Sequence, residues 1–224
     1  MDSSSKKITW HFEALPKKTA VAFDYLAQKK WIDNTGWYLA GGTALALQVG
    51  YRQSVDLDFF SETRKINNSE IISNLKVDGM WFTDVDSAGT IYGELSKAKV
   101  SFISYPFFKP VLPFLRHGTI SILHKEDIAV MKVVAISQRG RKRDFFDLYY
   151  CSKNILPLEE IFVRLKKQYP NVAHDYYHII KSLIYFADAE DDPEPDLLID
   201  LDWVTVKRYF EKEIPVLTKK LLNI

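Results

Sequence analysis

Apolar positions along the chain switch between a period near 3.6 and a period of 2, and the switches lay out the elements. Phe23, Leu26 and Ala27 within residues 17–30 predict an amphipathic helix from about Lys17. Asn34-Thr35-Gly36 signals a turn, and the apolar run Trp37-Tyr38-Leu39-Ala40 predicts a strand that stops at Gly41-Gly42. Thr43 to Gln48 then read as a helix, with Thr43 accepting a hydrogen bond at its start and Gly50 ending it. Strict alternation returns in Val55-Asp56-Leu57-Asp58-Phe59-Phe60, a second strand. Asn67-Asn68-Ser69-Glu70 opens a short helix carrying Ile71, Ile72 and Leu75, and three strands follow over residues 81–85, 89–95 and 99–105. Residues 105–115 hold too much proline for a regular helix, and residues 120–123 alternate as a further strand.

From residue 124 onward the pattern is helical. Glu126 and Asp127 suit a helix start, and Ile128 to Ser137 are apolar on nearly every side, with Lys132 the one charge between Asp127 and Arg139. Gly140 ends that helix. Asp144 can cap the next, in which Phe145, Phe146, Leu148 and Tyr149 pack inward. Residues 157–167 and 175–187 predict two more helices on either side of Tyr169-Pro170-Asn171. Residues 188–202 are acidic, contain Pro193 and Pro195, and read as an exposed, solubilising loop before a last helix at Asp202-Trp203. There Trp203 reads as core, while Asp202 either caps the helix or faces the active cleft. Strands gathered in the first half and helices in the second make the fold class α+β, divided into residues 1–123 and 124–224 with a cleft between.

A chain of 224 residues with 47% hydrophobic and 26% charged residues can bury an ample core. Its net charge of +1 argues against coating nucleic acid by bulk electrostatics, so contact with RNA or DNA needs a local basic patch. The single Cys151 excludes an intramolecular disulfide and reads as a small core residue in a reducing cytoplasm. The start, residues 1–7, is polar, reads as disordered and shows no signal peptide; no apolar run reaches the length of a membrane span. His117 and His124 lack partners at ligand spacing, which argues against zinc.

Candidate chemistry lies in two blocks. Unpaired N–H groups at a helix start beyond Gly41-Gly42 suit a phosphate, although a strand-turn-helix needs no ligand to exist. In the strand that follows, Asp56 and Asp58 share one face. A divalent cation with oxygen ligands, typically Mg²⁺, would relieve their repulsion; solvation, or pairing to Arg52 and Arg64, is the bland alternative. In the second block Lys132 sits where a solvated charge does not belong, so it reaches carboxylates or a nucleotide phosphate, or its stem runs past its neighbours to water. Arg139, Arg141, Lys142 and Arg143 then gather more cations than helix capping requires, pointing to NTP phosphates or an RNA backbone.

The string G-G-T-A-L-A-L…R-x-S-x-D-L-D-F-F resembles the nucleotidyltransferase signature and, more narrowly, the AbiEii/AbiGii family of nucleotidyltransferase-like toxins with the related MenT-type toxins. A second, gapless match falls on Glu126, Ala129, Lys132, Ala135, Arg139, Arg143, Asp144, Asp147 and Leu148, and a short D-W at Asp202-Trp203. The resemblance implies a nucleotidyltransferase-like mixed sheet with flanking helices. It implies Asp56 and Asp58 on Mg²⁺, Gly41, Gly42, Thr43, Ser54, Lys132, Arg139 and Arg143 on an NTP, and Asp144 and Asp147 in the active centre. It further implies transfer of NMP to an acceptor such as the 3′ end of tRNA, and an antitoxin protein as partner. Many nucleotidyltransferases carry a third carboxylate on the next core strand, where this chain has Ser101; Glu94 is the nearest replacement. Two other functions fit the same residues: a kinase-like transfer of the γ-phosphate to a protein, and a non-catalytic nucleotide- or RNA-binding module.

Overall fold

The computed structural model of the protein describes residues 8–222; the start expected to be disordered, residues 1–7, lies outside them. Strands β1 (Tyr38–Ala40), β2 (Leu57–Ser61), β3 (Trp81–Ser87), β4 (Thr90–Leu95), β5 (Ala98–Ser104), β6 (Leu115–His117) and β7 (Ile120–Ile122) form one seven-stranded sheet. Their order is β3-β4-β5-β2-β1-β7-β6. The pairs β1·β7 and β2·β5 are parallel and the remaining ones antiparallel, so the sheet is mixed. Strand β6 was not expected: its three residues, Leu-Arg-His, are too few to show a period and pair with β7 across a tight turn.

Helices α1 (Lys17–Leu26), α2 (Gly41–Val49) and α3 (Asn68–Lys76) accompany the sheet. The second half is built of α4 (Lys125–Arg139), α5 (Lys142–Asn154), α6 (Leu158–Gln168), α7 (Tyr176–Ser182), α8 (Ala187–Glu190) and α9 (Trp203–Leu222). Among the described residues no helix is long and apolar enough to cross a membrane.

Two elements differ from the sequence reading. The helix expected over residues 175–187 stops at Ser182, and the short α8 forms inside the stretch read as a solubilising loop. Two of the acids there have partners: Asp192 pairs with Arg141 at 2.8 Å and accepts from the Lys142 backbone N–H at 3.0 Å, while Glu190 pairs with Lys207 at 2.7 Å. The stretch therefore ties α5 to α9. Asp202 caps α9 by accepting from the Thr205 N–H at 2.6 Å, which removes it from any role in a cleft. Trp203 is core, packed among Phe145, Phe146 and Phe186, and Cys151 is fully buried.

The sheet and the helical half are locked at a side-chain amide. Gln48 on α2 donates to the Leu123 carbonyl at 2.9 Å and accepts from the Lys125 N–H at 2.8 Å, fixing the start of α4 against α2. His124 caps α4, its Nδ1 accepting from the Glu126 N–H at 3.3 Å.

Candidate active site

The site is assembled from the β1-α2-β2 unit on one side and α4 with the start of α5 on the other. Between them lies a cavity of about 600 Å³ lined by Gly41, Gly42, Ser54, Asp56, Asp58, Lys132, Arg139 and Arg143. Thus of the residues picked out in the sequence, these eight share one space; Thr43, Asp144 and Asp147 lie behind its wall.

Gly41 and Gly42 are there for reasons of space. Gly41 has φ of +69°, and a Cβ on it would stand 3.3 Å from Asp58 Oδ2. A Cβ on Gly42 would meet Arg52 Nη2 at 2.5 Å and Ser54 Oγ at 2.9 Å. Thr43 does not cap α2, whose helical stretch already begins at Gly41. Its hydroxyl instead donates to the Asp56 carbonyl and lies 2.9 Å from Ser54 Oγ, which holds the segment entering β2.

Asp58 on β2 pairs in register with Ser101 on β5, and the Ser101 hydroxyl donates to Asp58 Oδ1 at 2.7 Å. The position of the missing third acid therefore supplies a hydrogen bond rather than a charge. Glu94 does not line the cavity; Asp84, on the bulge of β3, does. Among the described residues no three His, Cys, Asp or Glu side chains come close enough together to hold a metal ion. Asp56 is the more open acid, with Arg143 Nη1 3.5 Å from its Oδ2.

Burial raises the Asp58 carboxyl above its ordinary value; the Ser101 hydrogen bond opposes this, and the charge of Asp56 adds to it. Two oxygen-only acids, one kept from ionising easily by burial and by the other, fit a hard dication that takes its remaining ligands from water or phosphate oxygens.

Behind the wall sits a buried charge network. Lys132 Nζ lies 2.7 Å from Asp144 Oδ1 and 2.6 Å from Asp147 Oδ2, with neither carboxylate exposed. Arg139 Nε donates to Asp144 Oδ2 at 2.9 Å. Arg52 grips Asp147 with two bonds, Nε to Oδ1 at 2.7 Å and Nη2 to Oδ2 at 2.9 Å, and the Tyr51 hydroxyl donates to the same carboxylate. Burial opposes the charge on Asp147, but Arg52 and Lys132 outweigh it and hold the carboxyl well below its ordinary range; burial likewise opposes the charge on Asp144, and Lys132 and Arg139 hold that carboxyl below its ordinary value. The capping role expected of Asp144 is absent, because α5 begins at Lys142 and the Asp144 side chain turns back to α4.

Three cations and two anions leave this network one positive charge, and Arg52, Lys132 and Arg139 all line the cavity. Lys132 has three donors, of which two are taken, so one remains for a ligand. Asp144 and Asp147 pair with these cations and do not themselves line the cavity.

Arg52, Tyr51, Asp84 and the aromatic lining Phe60, Tyr92 and Tyr105 were not among the residues singled out for the site. Arg52 stands two positions before Ser54 in the same string, which is the signal that could have found it.

Comparison with known proteins matches the chain to a family. A family model described as Nucleotidyl transferase AbiEii toxin, Type IV TA system covers residues 26–80 and 96–217. An uncharacterized protein of Aquifex aeolicus is 37% identical over 186 residues, 80% of this chain and 86% of that protein. JHP933 from Helicobacter pylori superposes with a TM-score of 0.51 at 18% identity, covering 93% of this chain and 95% of that one. MenT4, a nucleotidyltransferase toxin from Mycobacterium tuberculosis, does so with a TM-score of 0.53 at 16% identity, covering 90% of this chain and 84% of that one. At such identities the two solved structures share the fold.

Proposed function

The chain belongs to the AbiEii family of nucleotidyl transferase toxins, and from that premise we propose that it transfers a nucleoside monophosphate from a Mg²⁺-bound NTP to an RNA hydroxyl, the 3′ end of tRNA first among acceptors. The observation that supports this is the meeting of Asp56 and Asp58 with the start of α2, Lys132, Arg139 and Arg143 around one cavity.

In this reading Asp56 and Asp58 hold Mg²⁺, which when bound neutralises charge on the phosphates. The N–H groups at Gly41 and Gly42, the Ser54 hydroxyl and the free donor of Lys132 take the triphosphate oxygens. Arg139 is aimed by Asp144, and Arg143 exchanges its contact with Asp56 for one with phosphate. An acceptor hydroxyl oxygen forms the new bond to the α-phosphorus and gives up its proton to water, the bond from that phosphorus to the α,β-bridging oxygen breaks, and pyrophosphate leaves with that oxygen. The protein's share is positioning and charge, not covalent chemistry.

The halves 1–123 and 124–224 act as the two jaws of the cleft. The substrates place the reaction in the cytoplasm, and a cognate antitoxin protein is the expected partner, in keeping with the toxin–antitoxin description of the family. The test is transfer of α-labelled NTP to total tRNA by wild type and Asp56→Ala, with label retained by the variant sinking the assignment.

A further inference from the structure

The connection from β5 to β6 leaves the cavity as a rim of aromatic side chains on a firmly held backbone. Tyr105 lines the cavity, and Phe107, 51% exposed, meets it edge-on with ring centroids 5.8 Å apart. Phe60, also in the lining, stacks at 6.4 Å on Tyr38, which stacks at 5.0 Å on Phe114, itself 38% exposed. Phe107 thus touches a ring of the cavity lining directly, and Phe114 is linked to another, Phe60, through the buried Tyr38.

The backbone beneath them is pinned. The buried Asp127 carboxylate accepts from the N–H groups of Val111 at 2.9 Å and Leu112 at 3.0 Å, and from the Gln168 amide. The Lys109 N–H donates to the Gln168 carbonyl at 2.7 Å, and Phe108 is fully buried against Tyr169. The loop that carries the exposed rings is therefore fixed by its buried neighbours. Arg64 and Lys65 are exposed beside the end of β5, where Ser104 Oγ donates to the carbonyls of Thr63 and Arg64; Lys109 is exposed in the loop, and Glu62 is the acid nearby.

We infer that this rim is a stacking platform for unpaired bases of a single-stranded RNA acceptor, with Phe107 and Phe114 as its faces and Arg64, Lys65 and Lys109 along the backbone. Every base has a π-face, so stacking on rigid rings accepts RNA of any sequence, and cations beside the rings follow the phosphates. The contact of Phe107 with the cavity-lining Tyr105 sets a strand held on it beside the place where a transferred phosphate would be received. The inference rests on the transferase reading only for that last step.

The experiment is fluorescence anisotropy of a labelled oligouridylate, without NTP, beside an abasic RNA of equal length. Phe107→Ala and Phe114→Ala should each weaken oligouridylate binding about tenfold, as loss of one stacked base implies. Phe107→Trp should keep it, Phe107→Leu should lose it, and the abasic probe should respond to none of the changes. Mg²⁺-NTP binding should stay unchanged in all variants, which also reports an intact fold. Equal affinity in wild type and both alanine variants overturns the platform. So does retention by Phe107→Leu, which would mark an apolar protein contact. Phenylalanine-dependent RNA binding without transfer to any RNA leaves the platform standing and removes the transferase reading. Transfer whose KM for RNA ignores both positions does the reverse.

Discussion

Arg52 and Asp147, 95 positions apart in sequence, close a two-point ion pair in which the arginine side chain is 4% exposed and the aspartate not at all. The pair joins the connection from α2 to β2, which leads into Asp56 and Asp58, to α5, whose Asp147 also holds Lys132 of α4. Arg52 also packs where a Gly42 Cβ would be, so one guanidinium sets both the turn and the angle of α5.

Removing the aspartate leaves Arg52 and Lys132 buried with too little counter-charge. Asp147→Ala should destabilise the protein by about 3–5 kcal/mol in denaturant unfolding. A cost near that of a surface change, within about 0.5 kcal/mol, would contradict the network.

The same carboxylates set an acid limit. Asp144 and Asp147 titrate below their ordinary value of 3.8 when folded, so their ionised forms add stability that is complete above that value and drains away as pH falls beneath it. Melting temperature should drop through that range in wild type. Asp144→Asn, where it folds, should start lower and fall less steeply with acid.

Ser101 holds Asp58 toward its ionised form by donating to it. Ser101→Ala should raise the Asp58 carboxyl further, moving the acid limb of the transfer rate to higher pH while the rate above that limb changes little. An unmoved limb would show that Asp58 is not the group that must be ionised.

Gly42→Ala would place a methyl 2.5 Å from Arg52 Nη2, an atom that Asp147 keeps from moving away. The expected cost is about 1–3 kcal/mol of stability together with loss of nucleotide binding. Denaturant unfolding reads the first and calorimetric titration with Mg²⁺-NTP the second.

These residues show how far the sequence could be read. Asp58 was legible because a strand has period 2, whereas Asp56, expected on the same strand, lies one residue before β2; α4 was legible from its apolar run, which Lys132 alone interrupts. Lys132 was expected to meet carboxylates or phosphate; that the carboxylates are Asp144 and Asp147, a turn into the next helix, follows from the break at Gly140. The Arg52–Asp147 pair was invisible because a pairing across 95 positions leaves no local period, and an arginine after a tyrosine looks like any surface residue. Asp144 was open to reading as a cap because its local context is that of a helix start; partners on α4 decide otherwise. Strand β6 and helix α8, at three and four residues, are shorter than any periodic signal.

The central claim is which phosphorus is attacked, and paired incubations with α-labelled and γ-labelled NTP, total tRNA and Mg²⁺ test it most directly. Attack at the α-phosphorus puts α-label on RNA and none from the γ-position, and the signal is lost in Asp56→Ala and Lys132→Ala. Label reaching a protein from the γ-position, with RNA unmarked in both incubations, would contradict it.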